Sequence, residues 1–321
     1  MICLIIPCYK TRDQLPEVLK QVGPEIDSII LVDDACPENS VQHAMSIIAD
    51  SRIQVIQHQQ NKGVGGAVCS GIKAALKLNP KVIVRIDSDG QMNPRIIPRF
   101  IAPIIEGKAD FTKGNRFWSL TMLEQMPKIR LFGNAGLSFL SKLSTGYWSV
   151  MDPNNGFFAI HSHVARRLEL DKLEQRYFFE SDLLFRLNTI RALVIDIPMK
   201  ATYQGEPSSL NPISSIGEFS RKHCRNLFKR LGYNYFLRDF NIASIWMLSG
   251  IFLTGYGIVF GIIKWIQFSI SGEFASNGTV MLSALPIILG FQLLLATLQQ
   301  DIASEPRIPL HKVLPENGDA P

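Results

Sequence analysis

Two long uncharged runs constrain what this chain can become more than any other feature. Residues 242–263 read IASIWMLSGIFLTGYGIVFGII, and residues 280–298 read VMLSALPIILGFQLLLATL. Each is about 19 to 22 residues long, enough for a helix to cross a hydrocarbon core. Their length, lack of charge and glycine content set them apart from a buried helix pair of a soluble domain. The apolar content of 46% over 321 residues is high because it is concentrated here. The connector, residues 264–279, has Lys264 as its only basic residue, whereas Arg and Lys crowd the stretch before the first run and Arg307, His311 and Lys312 follow the second. The positive-inside rule predicts an integral membrane protein, in a bacterial inner membrane or a plasma membrane, with both termini cytoplasmic. The formal charge of +5 is then a juxtamembrane feature, pointing to anionic lipid and away from nucleic acid. MICLIIPCYK has no basic leader and too short an apolar run for a signal peptide, so it reads as a first strand. Five scattered cysteines with no C-x-x-C spacing exclude a zinc or redox motif and fit buried thiols in a reducing compartment.

The soluble part alternates strands and helices. ICLIIP is a strand stopped by Pro7, and Thr11 is a candidate N-cap for the helix DQLPEVLKQV. SIILVDD is a second strand, SVQHAMSIIA a helix with Ser40 its expected cap, and IQVIQH a third strand. A helix is predicted over Ala67–Leu78, and VIVRIDSD is a fourth strand. This order predicts βαβ units and an open parallel sheet. Three strand ends then carry ligand-like side chains along one edge: Asp33 with Asp34, Asn61 with Lys62, and Asp87 with Asp89. A solvated turn alone would account for Asp87-Ser-Asp89-Gly. Three such ends on one edge favour paired carboxylates holding a divalent cation where open α/β sheets bind ligands. The glycines of NKGVGGAVCSG do not make a dinucleotide fingerprint: Val68 stands where the third glycine belongs, and the segment follows the third strand rather than the first. They still allow a phosphate or ribose to approach a helix N-terminus, with Gly63 foremost.

IIPCYK, LVDDACPENS, NKGVGGAVCSGIKAA and DSDGQMNP, in this order over roughly the first 115 residues, resemble the family 2 glycosyltransferases. The resemblance implies a GT-A fold, the nucleotide-diphosphosugar transferase architecture: an open, mostly parallel sheet with helices on both faces. It implies a nucleotide-diphosphosugar donor, with Pro7, Tyr9 and Asp34 seating base and ribose, and Asp87, Asp89 and Gln91 holding Mg²⁺ or Mn²⁺ on the diphosphate. Lipid-acceptor relatives often have an acid just after the first strand, where this chain has Lys10-Thr11, so the base is left open between uracil and guanine.

KGNRF, after an expected fifth strand ADFTKG, resembles the G-x-R-[FY] element of polyprenyl-phosphate glycosyltransferases, the dolichol-phosphate mannose synthase group. There the arginine meets the acceptor phosphate, which gives Arg116 that role; a rim arginine is the plainer reading. Arg130 and Asn134 are weaker candidates of the same kind. MDPNNGFFAI is similar to the D-x-x-x-G-F element and gives Asp152, Asn155 and Gly156 as sugar-pocket residues, with Phe158 where many relatives have Arg. Glu180 and Asp182 in RYFFESDLLFRL resemble the acid pair that supplies a general base for hydroxyl acceptors. They could instead position the acceptor or sugar, or begin a helix with acids in its first turn. His161 and His163 are two apart in an expected strand and lack a third ligand. KATYQGEPSSLNP is similar to a loop near the active site of lipid-acceptor relatives, with Tyr203, Glu206, Ser208 and Ser209 its polar members.

The expected organisation is a catalytic domain over 1–212, a basic amphipathic interfacial segment over 213–239, two spans within 240–300 and a tail over 301–321. In the segment over 213–239, Phe219, Leu227, Phe228 and Leu231 share one face, and Arg221, Lys222, Arg225, Lys229 and Arg230 lie largely around the other. The expected activity is inverting transfer of a hexose to a polyprenyl phosphate such as undecaprenyl or dolichyl phosphate. Two other readings stand beside it: a hydroxyl-acceptor enzyme using Glu180 and Asp182, and a non-catalytic membrane scaffold. Homo-oligomerisation through the hairpin is left open by this sequence.

Overall fold

The structure is a computed structural model that describes residues 1–118, 128–200 and 212–314. It divides into two units, Met1–Phe228 with Pro306–Pro321, and Lys229–Glu305.

The first unit is built on β1 (Ile2–Cys8), α1 (Gln14–Lys20), β2 (Ser28–Asp33), α2 (Ser40–Ile47), β3 (Ile53–Gln57), α3 (Gly63–Lys77), β4 (Val82–Arg85) and α4 (Ile97–Ile105). It continues with β5 (Phe111–Asn115), α5 (Lys128–Thr145), β6 (Phe158–His161), α6 (Ser162–Arg166), α7 (Phe179–Thr189), β7 (Val194–Pro198) and α8 (Pro212–Gly232). The strands make a seven-stranded sheet in the order β3-β2-β1-β4-β6-β5-β7. β1 pairs parallel with β2 and β4, β2 with β3, and β5 with β7. β6 runs antiparallel to β4 and β5. The sheet is thus mostly parallel, as expected, and the reversed strand has a consequence. Phe158, the first residue of β6, pairs with Arg85, the last of β4, so the loop before β6 is delivered to the edge where β4 ends.

Alternate residues of each strand feed two cores, which is why the strands read as unbroken apolar runs. Cys3, Ile5, Ile30, Val32, Ile83, Phe158 and Ile160 are buried with α3, α6 and α7 residues. Leu4, Ile6, Ile29, Leu31, Val82, Val84 and Ala159 are buried with α1, α2 and α4 residues. Two side chains break the apolar pattern: Arg85 and Lys113 are each 1% exposed.

Several helix boundaries differ from expectation for identifiable reasons. Thr11 does not cap α1; its amide donates to Ser40 Oγ at 3.1 Å and its hydroxyl donates to Ser88 Oγ at 2.9 Å. Ser40 lies inside α2, whose N-cap is Asn39 in the left-handed region at φ 51°. α3 begins at Gly63 rather than Ala67, because Asp34 accepts from the amides of Lys62 and Gly63, both at 2.8 Å, and caps the helix from outside. His161 ends β6 and His163 lies within α6, so they do not share a strand face; their rings stand edge to face at 4.9 Å.

α8 is held to the first unit by a largely polar side. Asn226 Nδ2 donates to Asp182 at 3.0 Å, Lys222 and Arg225 meet Glu174 at 2.9 and 3.1 Å, and His223 lies 2.7 Å from Ser144 Oγ. Phe219 packs edge-on to Phe178, while Phe228 is 73% exposed. The expected free basic face is therefore partly spent on protein carboxylates.

The second unit contains α9 (Ile242–Ser271) and α10 (Asn277–Ala303), both long and apolar enough to cross a membrane. They extend past the expected limits of 263 and 280–298. Asn241 begins α9 with a capping box to Ser244. Small residues let the helices close on each other: a Cβ on Gly257 would lie 2.7 Å from the Ser283 carbonyl, and one on Gly290 2.6 Å from the Thr254 amide. Near the end of α10, buried Asp301 accepts from Arg230 at 2.7 and 2.9 Å and from the Tyr235 hydroxyl at 2.8 Å.

Candidate active site

The carboxyl ends of β1, β2 and β4 are tied into one edge. Ser88 donates to the Pro7 carbonyl at 2.9 Å, latching the Asp87–Gly90 turn to the end of β1. Gly90 takes φ +75°, a conformation suited to glycine, and Asp89 Oδ1 accepts from the Gln91 amide at 3.0 Å. Beyond Pro7 the chain exposes Tyr9 and turns through Lys10 at φ 55°.

Asp33 and Asp34 are 2% and 3% exposed, and both carboxylates have protein partners. Asp33 accepts from the Cys36 amide at 2.9 Å. Asp34 also lies 2.7 Å from His58 Nδ1, and its carbonyl accepts from Asn61 Nδ2 at 3.3 Å. With Nδ1–H donating to Asp34, His58 Nε2 is left to accept from Ser70 Oγ at 2.9 Å. Asp34 thus shapes the Asn61–Gly63 loop. His58, missed in the sequence, was visible only as the polar end of IQVIQH.

The loop before β6 forms the other wall. Arg116 makes a two-point contact with Asp152, Nε to Oδ2 at 2.7 Å and Nη2 to Oδ1 at 3.0 Å. Asn155 Nδ2 donates to Asp152 at 3.2 Å, and the buried Lys113 ammonium donates to the Asn155 carbonyl. Burial pulls the Lys113 pKa down to about 8. Asp196, opposite Lys113 on β7, accepts from Asn115 and the Met151 amide, both at 2.9 Å, and burial pushes it up to about 6.

Arg85 joins the two walls. It donates to Asp87 at 2.5 Å, to Glu180 at 2.9 Å and to the Gly156 carbonyl at 2.9 Å. It pairs across the ladder with Phe158, so a guanidinium does stand at the level where Phe158 replaces the expected arginine. Glu180 and Asp182 are separated in role. Asp182 is 2% exposed and accepts from the Glu174 amide, Arg186 Nε and Asn226 Nδ2 at 3.2, 3.1 and 3.0 Å. The side chains of Arg130 and Asn134, and residues 203–209, lie outside what the structure describes.

Asp87 and Asp89 offer hard oxygen donors at a partly open edge, a fit to Mg²⁺ or Mn²⁺ if ligand phosphate and water complete the coordination. Among the described residues no cluster of three His, Cys, Asp or Glu side chains could hold a metal alone. A Cβ on Gly156 would come within 2.7 Å of Asp87 Oδ2, so a larger residue here would have to push this carboxylate aside.

Residues 3–172 match the family model Glycosyl transferase family 2. The chain belongs to that family. Curated relatives of this family 2 chain include UDP-N-acetylglucosamine–dolichyl-phosphate N-acetylglucosaminyltransferase of Methanococcus voltae, 30% identical over 63% of this chain and 86% of the relative. Dolichol-phosphate mannosyltransferase of Pyrococcus furiosus is 26% identical over 78% of this chain and 69% of its own length. Undecaprenyl-phosphate mannosyltransferase of Micrococcus luteus is 27% identical over 61% and 81%. Among solved structures, glucosyl-3-phosphoglycerate synthase of Mycobacterium tuberculosis, in complex with Mn²⁺, UDP and phosphoglyceric acid, aligns with a TM-score of 0.54. That match is 18% identical and covers 72% of this chain and 78% of the other. It carries the fold, a GT-A architecture.

Proposed function

We propose that this family 2 enzyme transfers a hexose from a nucleotide-diphosphosugar to a membrane polyprenyl phosphate, with inversion at the anomeric carbon. One observation carries the reading. A family 2 ligand edge, with Asp87 and Asp89 at its centre and Arg116 on its wall, stands in one chain with two candidate membrane spans. The polyprenyl-phosphate relatives support the acceptor class.

On this reading Pro7 and Tyr9 seat the nucleotide, and Asp34 acts on it through the Asn61–Gly63 loop. Asp87, Asp89 and Gln91 would hold Mg²⁺ or Mn²⁺, which neutralises charge gathering on the leaving diphosphate. Relatives of the fold solved with Mn²⁺ or Mg²⁺ and UDP support that choice. Arg116 presents a guanidinium to the acceptor phosphate, and Asp152 fixes its plane. A phosphate is already ionised near neutral pH and needs little help from a base, so no proton has to be removed before attack. Holding two charged reactants in line supplies much of the rate. Asp182 is a support residue, its carboxylate engaged by protein donors. By the charge flanking the spans, the catalytic unit and both termini are cytoplasmic.

The test is a transfer assay on detergent-purified protein with Mn²⁺, a panel of radiolabelled UDP- and GDP-sugars, and undecaprenyl phosphate. Label entering the lipid phase with one donor supports the proposal and names that donor. Donor hydrolysis without lipid labelling contradicts it and moves the reading to a hydroxyl acceptor, with Glu180 as the candidate base.

A further inference from the structure

Arg85 is a buried charge that the proposed transfer does not itself use. It ends β4 with its side chain 1% exposed, and its Nε has no hydrogen-bond partner among the described residues. Burial by itself would expel the charge; Asp87 and then Glu180 hold the group protonated, above its ordinary value. The two carboxylates come from different places, one from the turn after β4 and the other from the first turn of α7. The guanidinium is a rigid plane that meets both through separate nitrogens. Gly156 closes the third side, where a Cβ would stand 2.4 Å from Arg85 Nη1.

We propose that Arg85 is a positioning residue that couples the donor-side carboxylate Asp87 to Glu180 at the start of α7. The proposal rests on the transferase reading for one point, that Asp87 faces the donor. Asp87 has one guanidinium to share with Glu180. When Glu180 is replaced by a neutral side chain, Arg85 turns its full attraction on Asp87 and competes with whatever cationic partner Asp87 would otherwise take. A change at α7 is then felt at the donor site, although Glu180 itself need not touch the donor. In the reverse direction, a donor that draws Asp87 away leaves Arg85 to hold Glu180 more firmly.

The test is a double-mutant cycle read by calorimetric titration of UDP and of GDP, each with Mn²⁺, into the detergent-purified full chain. Glu180→Gln is expected to weaken nucleotide binding by about 5-fold, at the low end of coupling between linked sites. In an Arg85→Met background the same change should alter affinity less than about 2-fold, because the shared partner is gone. Equal factors in both backgrounds, or an unchanged affinity in Glu180→Gln alone, overturns the coupling. Should Arg85→Met fail to fold, Arg85→Lys takes its place. It keeps the buried charge but cannot span both carboxylates, so coupling that survives it also overturns the proposal. A wild-type chain that binds neither nucleotide sinks the transferase reading itself, a result distinct from additive variants of a chain that binds.

Discussion

Asp34 follows β2 with its carboxylate turned on Lys62 N, Gly63 N and His58 Nδ1, so a single acid sets both the cap of α3 and the shape of the loop before it. His58→Ala removes one of those donors from a buried carboxylate and should cost about 1–3 kcal/mol of stability. Nucleoside diphosphate affinity, measured by titration, should fall with it, whereas an unchanged affinity would separate the loop from the donor site. Arg116→Ala leaves buried Asp152 without its guanidinium and should destabilise by about 3–5 kcal/mol in chemical denaturation. Arg116→Lys keeps a charge but loses the two-point contact. It should recover part of that stability, while kcat/KM for the lipid phosphate stays about 10-fold down or more. Some of the site was legible from residue type alone. Asp87, Asp89 and Arg116 stand just past strand ends and Asp152 in the loop before β6, where solvent or a ligand must account for them. Arg85 and Lys113 were not legible, because a single basic residue in an apolar strand reads as a rim side chain. Only the register of β4, β5 and β6 shows that both are enclosed.

Elements were readable where hydrophobic period decides them and unreadable where a distant partner does. The first four strands follow from apolar runs. The reversed direction of β6 and the early start of α3 do not, since each is fixed by a segment far along the chain. Asp110 is a clear instance. It is fully buried and accepts from the Leu193 amide at 2.7 Å, the Leu310 amide at 2.6 Å and the His311 amide at 2.9 Å, with His311 Nδ1 2.7 Å away. The chain after the second apolar helix is thereby pinned to the start of β5. Asp110→Ala should expose residues near 310 to limited proteolysis before the rest of the catalytic unit. His161, stacked on His311 at 4.3 Å, is pulled down to about 4 by burial, and then by His311, His163 and Lys81 against an opposing Asp110. Buried His223 is likewise lowered to about 4. Both are neutral in the fold. Their contribution is therefore present above the unfolded value near 6.5 and is lost as pH falls through about 4. Denaturation midpoints should drop between pH 7 and pH 5, and His161→Gln should reduce the drop. In the helical hairpin, Gly257→Leu would drive a side chain into the Ser283 carbonyl and should lower the thermal midpoint in detergent.

At the scale of the whole chain, a family 2 ligand edge and two candidate spans together make a lipid acceptor the economical reading. The two long apolar helices were the most legible feature of all, because about 20 uncharged residues leave few alternatives. The basic helix α8 was less so: its basic residues suggested a free cationic face, but Lys222 and Arg225 are paired with Glu174. On the proposed reading the decisive chemistry is that the acceptor is a phosphate rather than a hydroxyl. It is tested most directly by offering the purified chain its donor with undecaprenyl phosphate and undecaprenol in parallel, with Asp89→Ala as control. Label appearing only on the phosphate lipid, and falling by at least about 100-fold in the variant, is the predicted result. Label on undecaprenol at a comparable rate, or transfer that survives Asp89→Ala, would contradict it.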